Sequence, residues 1–253
     1  MSKTKYPKNF LNEVIFKIEF PPILELYNTK KESAAKFQEI IFKEFGDAKF
    51  NTNKHINVKL DNEGIPIGSD SEENLIWSFF NKDDKRVELS ATSLALIYKG
   101  SYYTTFEDFS EDVDLILKGL KSYPITQIKY IGLRYINQID IRNYENLDDY
   151  INPNLHLINK EFDEKLLIQS LSRVELSIED YILAFQFGHF NPEYPNISSN
   201  KDFILDYDCY LKGNESFENI KSDLLEMNEI IYNQFEKSLE QELRKIMGNS
   251  DDY

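Results

Sequence analysis

The sequence predicts an α+β fold built from two similar units, each an antiparallel sheet packed by a long helix, and three observations carry that reading. Short segments of alternating apolar and polar residues recur along the chain. Two capping boxes open apolar stripes at helical spacing. The order strand, helix, several strands, helix occurs twice. The junction falls near Tyr123 and Pro124, giving an N-terminal unit over 1–123 and a C-terminal unit over 124–253, packed as one globule. The recurrence suggests internal duplication, although no residue-level repeat accompanies it.

The elements follow in order. Val14, Phe16, Ile18 and Phe20 alternate with Ile15, Lys17 and Glu19, the period of a half-buried strand, and Pro21 and Pro22 stop it. Thr29 and Glu32 form a capping box, after which Ala34, Phe37, Ile41 and Phe45 mark a helix ending at Gly46. A polar stretch from Asp61 to Asn74 precedes a hairpin, with strands over 75–80 and 87–91 and a turn at Asn81 to Lys85. A further strand runs from Ser93 to Lys99. Thr104 and Glu107 make the second capping box, and Phe109, Val113, Ile116, Leu117 and Leu120 form the stripe of a helix that ends before Pro124.

In the second half, strands are expected over 128–141, 166–178, 181–190 and 203–211, with a short helical turn over 147–151. A single long helix closes the chain. Ser216 is its candidate N-cap, apolar residues recur every three or four positions from Phe217 to Ile246, and Gly248 ends it. The tail Asn249 to Tyr253 is expected to fray.

Composition bounds the function classes. The chain of 253 residues is 41% hydrophobic, with 18 Phe and 16 Tyr against 9 Gly and 8 Pro, which suits a full core. Asp and Glu number 44 against 29 Lys and Arg, so the net charge of −15 repels a phosphate backbone and makes nucleic acid an unfavourable partner. The densest basic stretch, Lys3 to Lys8, reads as a solvated tail. One cysteine, Cys209, permits no internal disulfide, and no segment has the apolar length of a membrane span or a secretion signal. The expected location is therefore the cytoplasm, with no membrane partner.

Chemistry-bearing motifs are absent. There is no phosphate-wrapping glycine loop, dinucleotide turn, zinc-protease helix or nucleophile elbow, and His55, His156 and His189 are scattered without metal-ligand spacing. No cofactor, metal or catalytic residue is expected. The aromatic stretches Ser101 to Phe109 and Phe185 to Tyr194 fit either core or recognition surfaces.

Charged residues embedded in apolar strands supply the one candidate ligand site: Arg134 in the strand over 128–141, Arg173 and Glu175 in L-S-R-V-E-L-S, and Asp206 and Asp208 in I-L-D-Y-D-C-Y. Alternation places each pair of neighbours on one side of its strand, so these groups can brace the sheet as ion pairs crossing between strands. The competing reading is that Glu175, Asp206 and Asp208 gather a divalent cation while Arg134 and Arg173 hold an anionic ligand.

The segments N-E-V-I-F-K-I-E-F-P-P, P-I-T-Q-I-K-Y-I-G-L-R-Y-I-N-Q-I-D, D-Y-I-N-P, D-F-I-L-D-Y-D-C-Y and F-E-K-S-L-E-Q-E-L-R-K-I-M-G, with the core G-L-R-Y-I-N at Gly132 to Asn137, resemble a sporadically distributed, functionally uncharacterised prokaryotic family of about 250 residues. The resemblance carries over no catalytic residues. It implies the patchy distribution of genes borne on mobile elements, which include toxin, antitoxin and phage-defence genes. Together these features point away from an enzyme and towards a regulatory protein that uses its acidic surface to engage a basic protein partner or to mimic nucleic acid. The alternative is a ligand- or metal-binding module, or an enzyme, with its site among the carboxylates and arginines of the C-terminal sheet. Homodimers being the commonest oligomers, a homodimer is also expected.

Overall fold

The alternation of the first strand is that of a sheet with one covered face. In the computed structural model, Val14, Phe16 and Ile18 of β1 (Leu11–Glu19) are fully buried, while Glu13, Ile15, Lys17 and Glu19 between them are partly exposed. The structure describes residues 6–27, 30–60, 66–82, 84–141, 146–163, 166–196 and 202–248, without the side chains of 31, 53–60, 66–74 and 214–215. Thr29 of the first capping box, the segment 61–65, Lys3 and Lys5 of the basic stretch, the side chain of His55 and the tail Asn249 to Tyr253 lie outside what is described.

After β1 the chain forms α1 (Ala35–Ile41), β2 (Asp47–Leu60), β3 (Pro66–Phe80), β4 (Lys85–Ser90), β5 (Ser93–Lys99) and α2 (Phe106–Leu120). Then come β6 (Ile128–Asp140), β7 (Ser170–Ile178), β8 (Tyr181–Phe190), β9 (Asp202–Glu215), α3 (Ile220–Ser238) and α4 (Gln241–Met247). All nine strands join one antiparallel sheet in the order β2-β3-β4-β5-β1-β6-β9-β8-β7. The chain is therefore α+β, but the expected pair of sheets, each packed by a long helix, is overturned. The finding that overturns it is the ladder between β1 and β6, in which Phe16 lies opposite Leu133 and Ile18 opposite Ile131. Strand period says which face of a strand is buried and nothing about which distant strand it pairs with.

One row of side chains shows how the core is laid. Phe79, Val87, Leu96, Phe16, Leu133, Cys209 and Leu183 lie opposite one another across seven successive strands, each at most 1% exposed. Helices α1, α2 and α3 cover this face. Phe37 of α1 meets Phe79 at 5.4 Å between ring centroids, Phe109 of α2 meets Tyr98 at 5.0 Å, and Phe235 of α3 meets Tyr207 at 6.2 Å. Each fully buried Phe or Leu stabilises the fold by roughly 1.5–3 kcal/mol relative to exposure.

The stripe expected for α2 is buried as read, but the N-cap is Thr105, whose hydroxyl accepts from the Asp108 amide at 3.1 Å. The expected closing helix is two. Ser238 turns its hydroxyl back onto the Gln234 carbonyl at 3.0 Å, Leu239 is extended and bridges to Ile151, and α4 restarts at Gln241. The Arg244 guanidinium meets both the carboxylate and the carbonyl oxygen of Glu236, clasping α4 back onto α3. A helix-period stripe survives this break because both helices lie on the same core.

Candidate functional site

The face of the sheet turned away from α1, α2 and α3 carries the charged residues embedded in the strands. Register places them in two adjacent rows. Arg173, Gln186, Asp206 and Ile136 form one, on β7, β8, β9 and β6. Glu175, Ala184, Asp208 and Arg134 form the next. All five candidate residues thus share one open face over four neighbouring strands.

They do not converge on one point. Arg134 is bidentate to Asp206, Nε to Oδ1 at 2.8 Å and Nη2 to Oδ2 at 2.6 Å. This diagonal pair crosses from β6 to β9, and Asp206 is buried beneath the half-exposed guanidinium. Arg173 instead pairs within β7, its Nη2 donating to Glu175 Oε1 at 2.9 Å, and both side chains are about half exposed. Strand β8 separates the two pairs with Gln186 and Ala184, so β7 and β9 stand roughly 10 Å apart. The cation cluster considered for Glu175, Asp206 and Asp208 has no counterpart here: among the described residues no three His, Cys, Asp or Glu side chains are grouped to hold a metal ion.

Gly132, in the middle of the G-L-R-Y-I-N core, lies beside Arg134 on this face. A Cβ there would stand 2.5 Å from the Tyr130 hydroxyl, so the bare backbone makes room for the Tyr130 ring, which stacks on Tyr210 at 5.6 Å. That aromatic pair walls one side of the Arg134 and Asp208 row.

Asp208 is the unusual member. It is half-buried and accepts no hydrogen bond from the described residues. Burial raises its carboxyl above the ordinary carboxylate range, Asp206 raises it further, and Arg134, Arg173 and Lys17 pull it back. A raised carboxyl favours the protonated form in the folded chain, so its contribution to stability is present at low pH and lost as pH rises through the folded value. Asp208→Asn is therefore expected to be more stable than the parent chain near neutral pH, with the advantage vanishing below about pH 3.9, the ordinary value of an unfolded aspartate. Urea unfolding at several pH values measures it; equal or lower stability at neutral pH shows that the charged form is held by its neighbours.

The histidines and the cysteine have plain roles. His156 and His189 are buried and pack edge-on against Phe203, and burial lowers the His156 pKa. Cys209 is buried, its thiol pushed up to about 12, again by burial, which makes it a small hydrophobe. Of the aromatics in Ser101 to Phe109 and Phe185 to Tyr194, Phe109 and Phe185 lie in the core and Tyr103, Phe106 and Phe187 pack against it, whereas Tyr102 and Tyr194 are exposed.

Two features escaped the sequence reading. Lys85, Asp112 and Tyr98 meet under α2, with Lys85 Nζ 3.1 Å from Asp112 and the Tyr98 hydroxyl donating to the same carboxylate. A groove of about 540 Å³ beside α1 is lined by Gln38, Lys49, Phe50, Trp77 and Phe79, where the Trp77 indole N–H has no acceptor among the described residues.

The chain matches no family model and no curated protein. No helix among the described residues is long and apolar enough to cross a membrane.

Proposed function

We propose that this is a non-enzymatic interaction protein that engages a basic protein partner through the acidic outer surface of its helical layer. One observation carries the reading: α2 and α3 together hold nine acidic against three basic side chains, a surplus of six in a chain whose whole surplus is fifteen. An ion pair between Lys221 of α3 and Asp114 of α2, at 2.6 Å, links the two helices, and Glu107, Asp108, Glu111 and Glu226 are exposed on them. A surface of one sign attracts the opposite sign over about a Debye length, roughly 10 Å at 0.1 M salt. A regulatory role in the cytoplasm, in a defence or toxin-antitoxin setting, is consistent with the family resemblance of the sequence.

Affinity capture with the full chain tests this. The expected partner is basic, and its retention falls about tenfold or more between roughly 50 and 300 mM salt. The triple variant Glu107→Gln, Glu111→Gln, Glu226→Gln weakens it, while Asp208→Asn on the opposite face leaves it intact. Salt-independent capture, or capture indifferent to the triple variant, sinks the proposal.

A second reading, a ligand site on the open face, is supported by Asp208, a half-buried carboxylate that accepts no hydrogen bond from the described residues. A thermal-shift screen with divalent cations and nucleotides addresses it. A ligand that raises the melting temperature of the parent chain but not of Asp208→Asn supports this reading.

A further inference from the structure

The last strand of the sheet is an edge. β7 is bonded to β8 over nine residues in unbroken register, and among the described residues no further strand lies beyond it. Proteins usually blunt such edges with charged side chains, lysine above all, with proline or with a bulge, because a free row of N–H and C=O groups templates pairing with another chain. β7, S-L-S-R-V-E-L-S-I, has no lysine, proline or register shift, and its two charges, Arg173 and Glu175, are opposite in sign and paired with each other. The opposite edge, β2, carries Lys49. On β7, Val174 and Leu176, on the side of the sheet that bears the helices, are 42% and 39% exposed, and Leu171 on the open face is 37% exposed.

The strand is also complementary to itself. Its central residue is Val174, with Arg173 and Glu175 on either side and on the same face of the sheet. In an antiparallel pair, a two-fold axis through Val174 sets residue i opposite residue 348 − i. Each Arg173 then faces the second copy's Glu175, Leu176 faces Ser172, and Val174 faces Val174. Opposite charges directly across an antiparallel pair stabilise it and like charges destabilise it. Such an axis stands perpendicular to the sheet, so the two open faces lie on the same side and the two helical layers on the other.

We propose that β7 is a homodimer interface, in which two copies join edge to edge about Val174 into one continuous sheet with paired Arg173 and Glu175 at its centre. The proposal is independent of the acidic helical surface, which this arrangement leaves open.

Sedimentation equilibrium on the full chain tests it. The expected mass is twice the 29.9 kDa of the single chain. Arg173→Glu sets two Glu–Glu contacts across the axis and weakens the dimer by about tenfold or more, and Glu175→Arg does the same with arginines. The double variant Arg173→Glu, Glu175→Arg restores both opposite-charge pairs and with them the dimer. Both residues are about half exposed, so each variant is expected to keep the parent circular dichroism spectrum. A monomeric parent chain overturns the proposal. So does a dimer that survives Arg173→Glu, or a double variant that stays dissociated, because either places the contact elsewhere or assigns the edge to a different partner.

Discussion

Phe16→Ala is expected to lower the unfolding free energy by about 3–5 kcal/mol, the range for a fully buried Phe cut to Ala. Phe16 is 0% exposed and sits in the middle strand, opposite Leu96 on β5 and Leu133 on β6. Neither neighbour can close the gap without breaking its own ladder, so the cavity persists and the cost falls towards the upper end. The consequence reaches both halves of the chain, because β1 is the strand that joins β2 to β5 with β6 to β9. Trp77 is the sole tryptophan and lies on β3, whereas α3 contributes much of the helical signal. Tryptophan fluorescence and far-ultraviolet circular dichroism are therefore expected to report one coincident urea transition, shifted equally by the substitution. Separate transitions, with only the fluorescence shifted, indicate that the two ends of the sheet unfold independently.

What the sequence made legible was local. Alternation located β1, β6, β8 and most of β9, and the 3.6-residue period located α2, because in each a covered face imposes its period on the residues. β2 was missed. Its sequence, D-A-K-F-N-T-N-K-H-I-N-V-K-L, is largely polar, and its pairing with β3 over Asp47 to Leu60 is not encoded in its own period. The start of β3, from Pro66, is hidden in a polar stretch for the same reason. Nor could the pairing of β1 with β6, more than a hundred residues apart, be inferred from either strand. The candidate site divided along the same line. Parity put Arg134, Asp206 and Asp208 on one side of their strands, whereas the choice of Asp206 by Arg134 is a diagonal contact. Asp208 lies directly opposite Arg134 in the register, yet the bidentate bonds go to its neighbour.

That diagonal contact decides what Arg134→Ala does. Removing one member of a buried ion pair typically costs 3–5 kcal/mol, because the other charge is left without its partner. Asp206 is 6% exposed, but the Arg134 side chain is 41% exposed and water reaches the pair. The expected loss is accordingly smaller, about 2–4 kcal/mol. Arg134→Lys recovers only part of it, since an ammonium cannot reproduce the two parallel bonds of the guanidinium. Replacing both charges, Arg134→Met with Asp206→Leu, removes the unpaired carboxylate and is expected to come within about 1 kcal/mol of the parent chain. Urea unfolding of the four proteins measures the series. This order of stabilities makes the pair a brace between β6 and β9. A different order, in which Arg134→Ala unfolds like the parent chain while losing an anion that protects the parent against heat, makes the guanidinium a ligand-binding group.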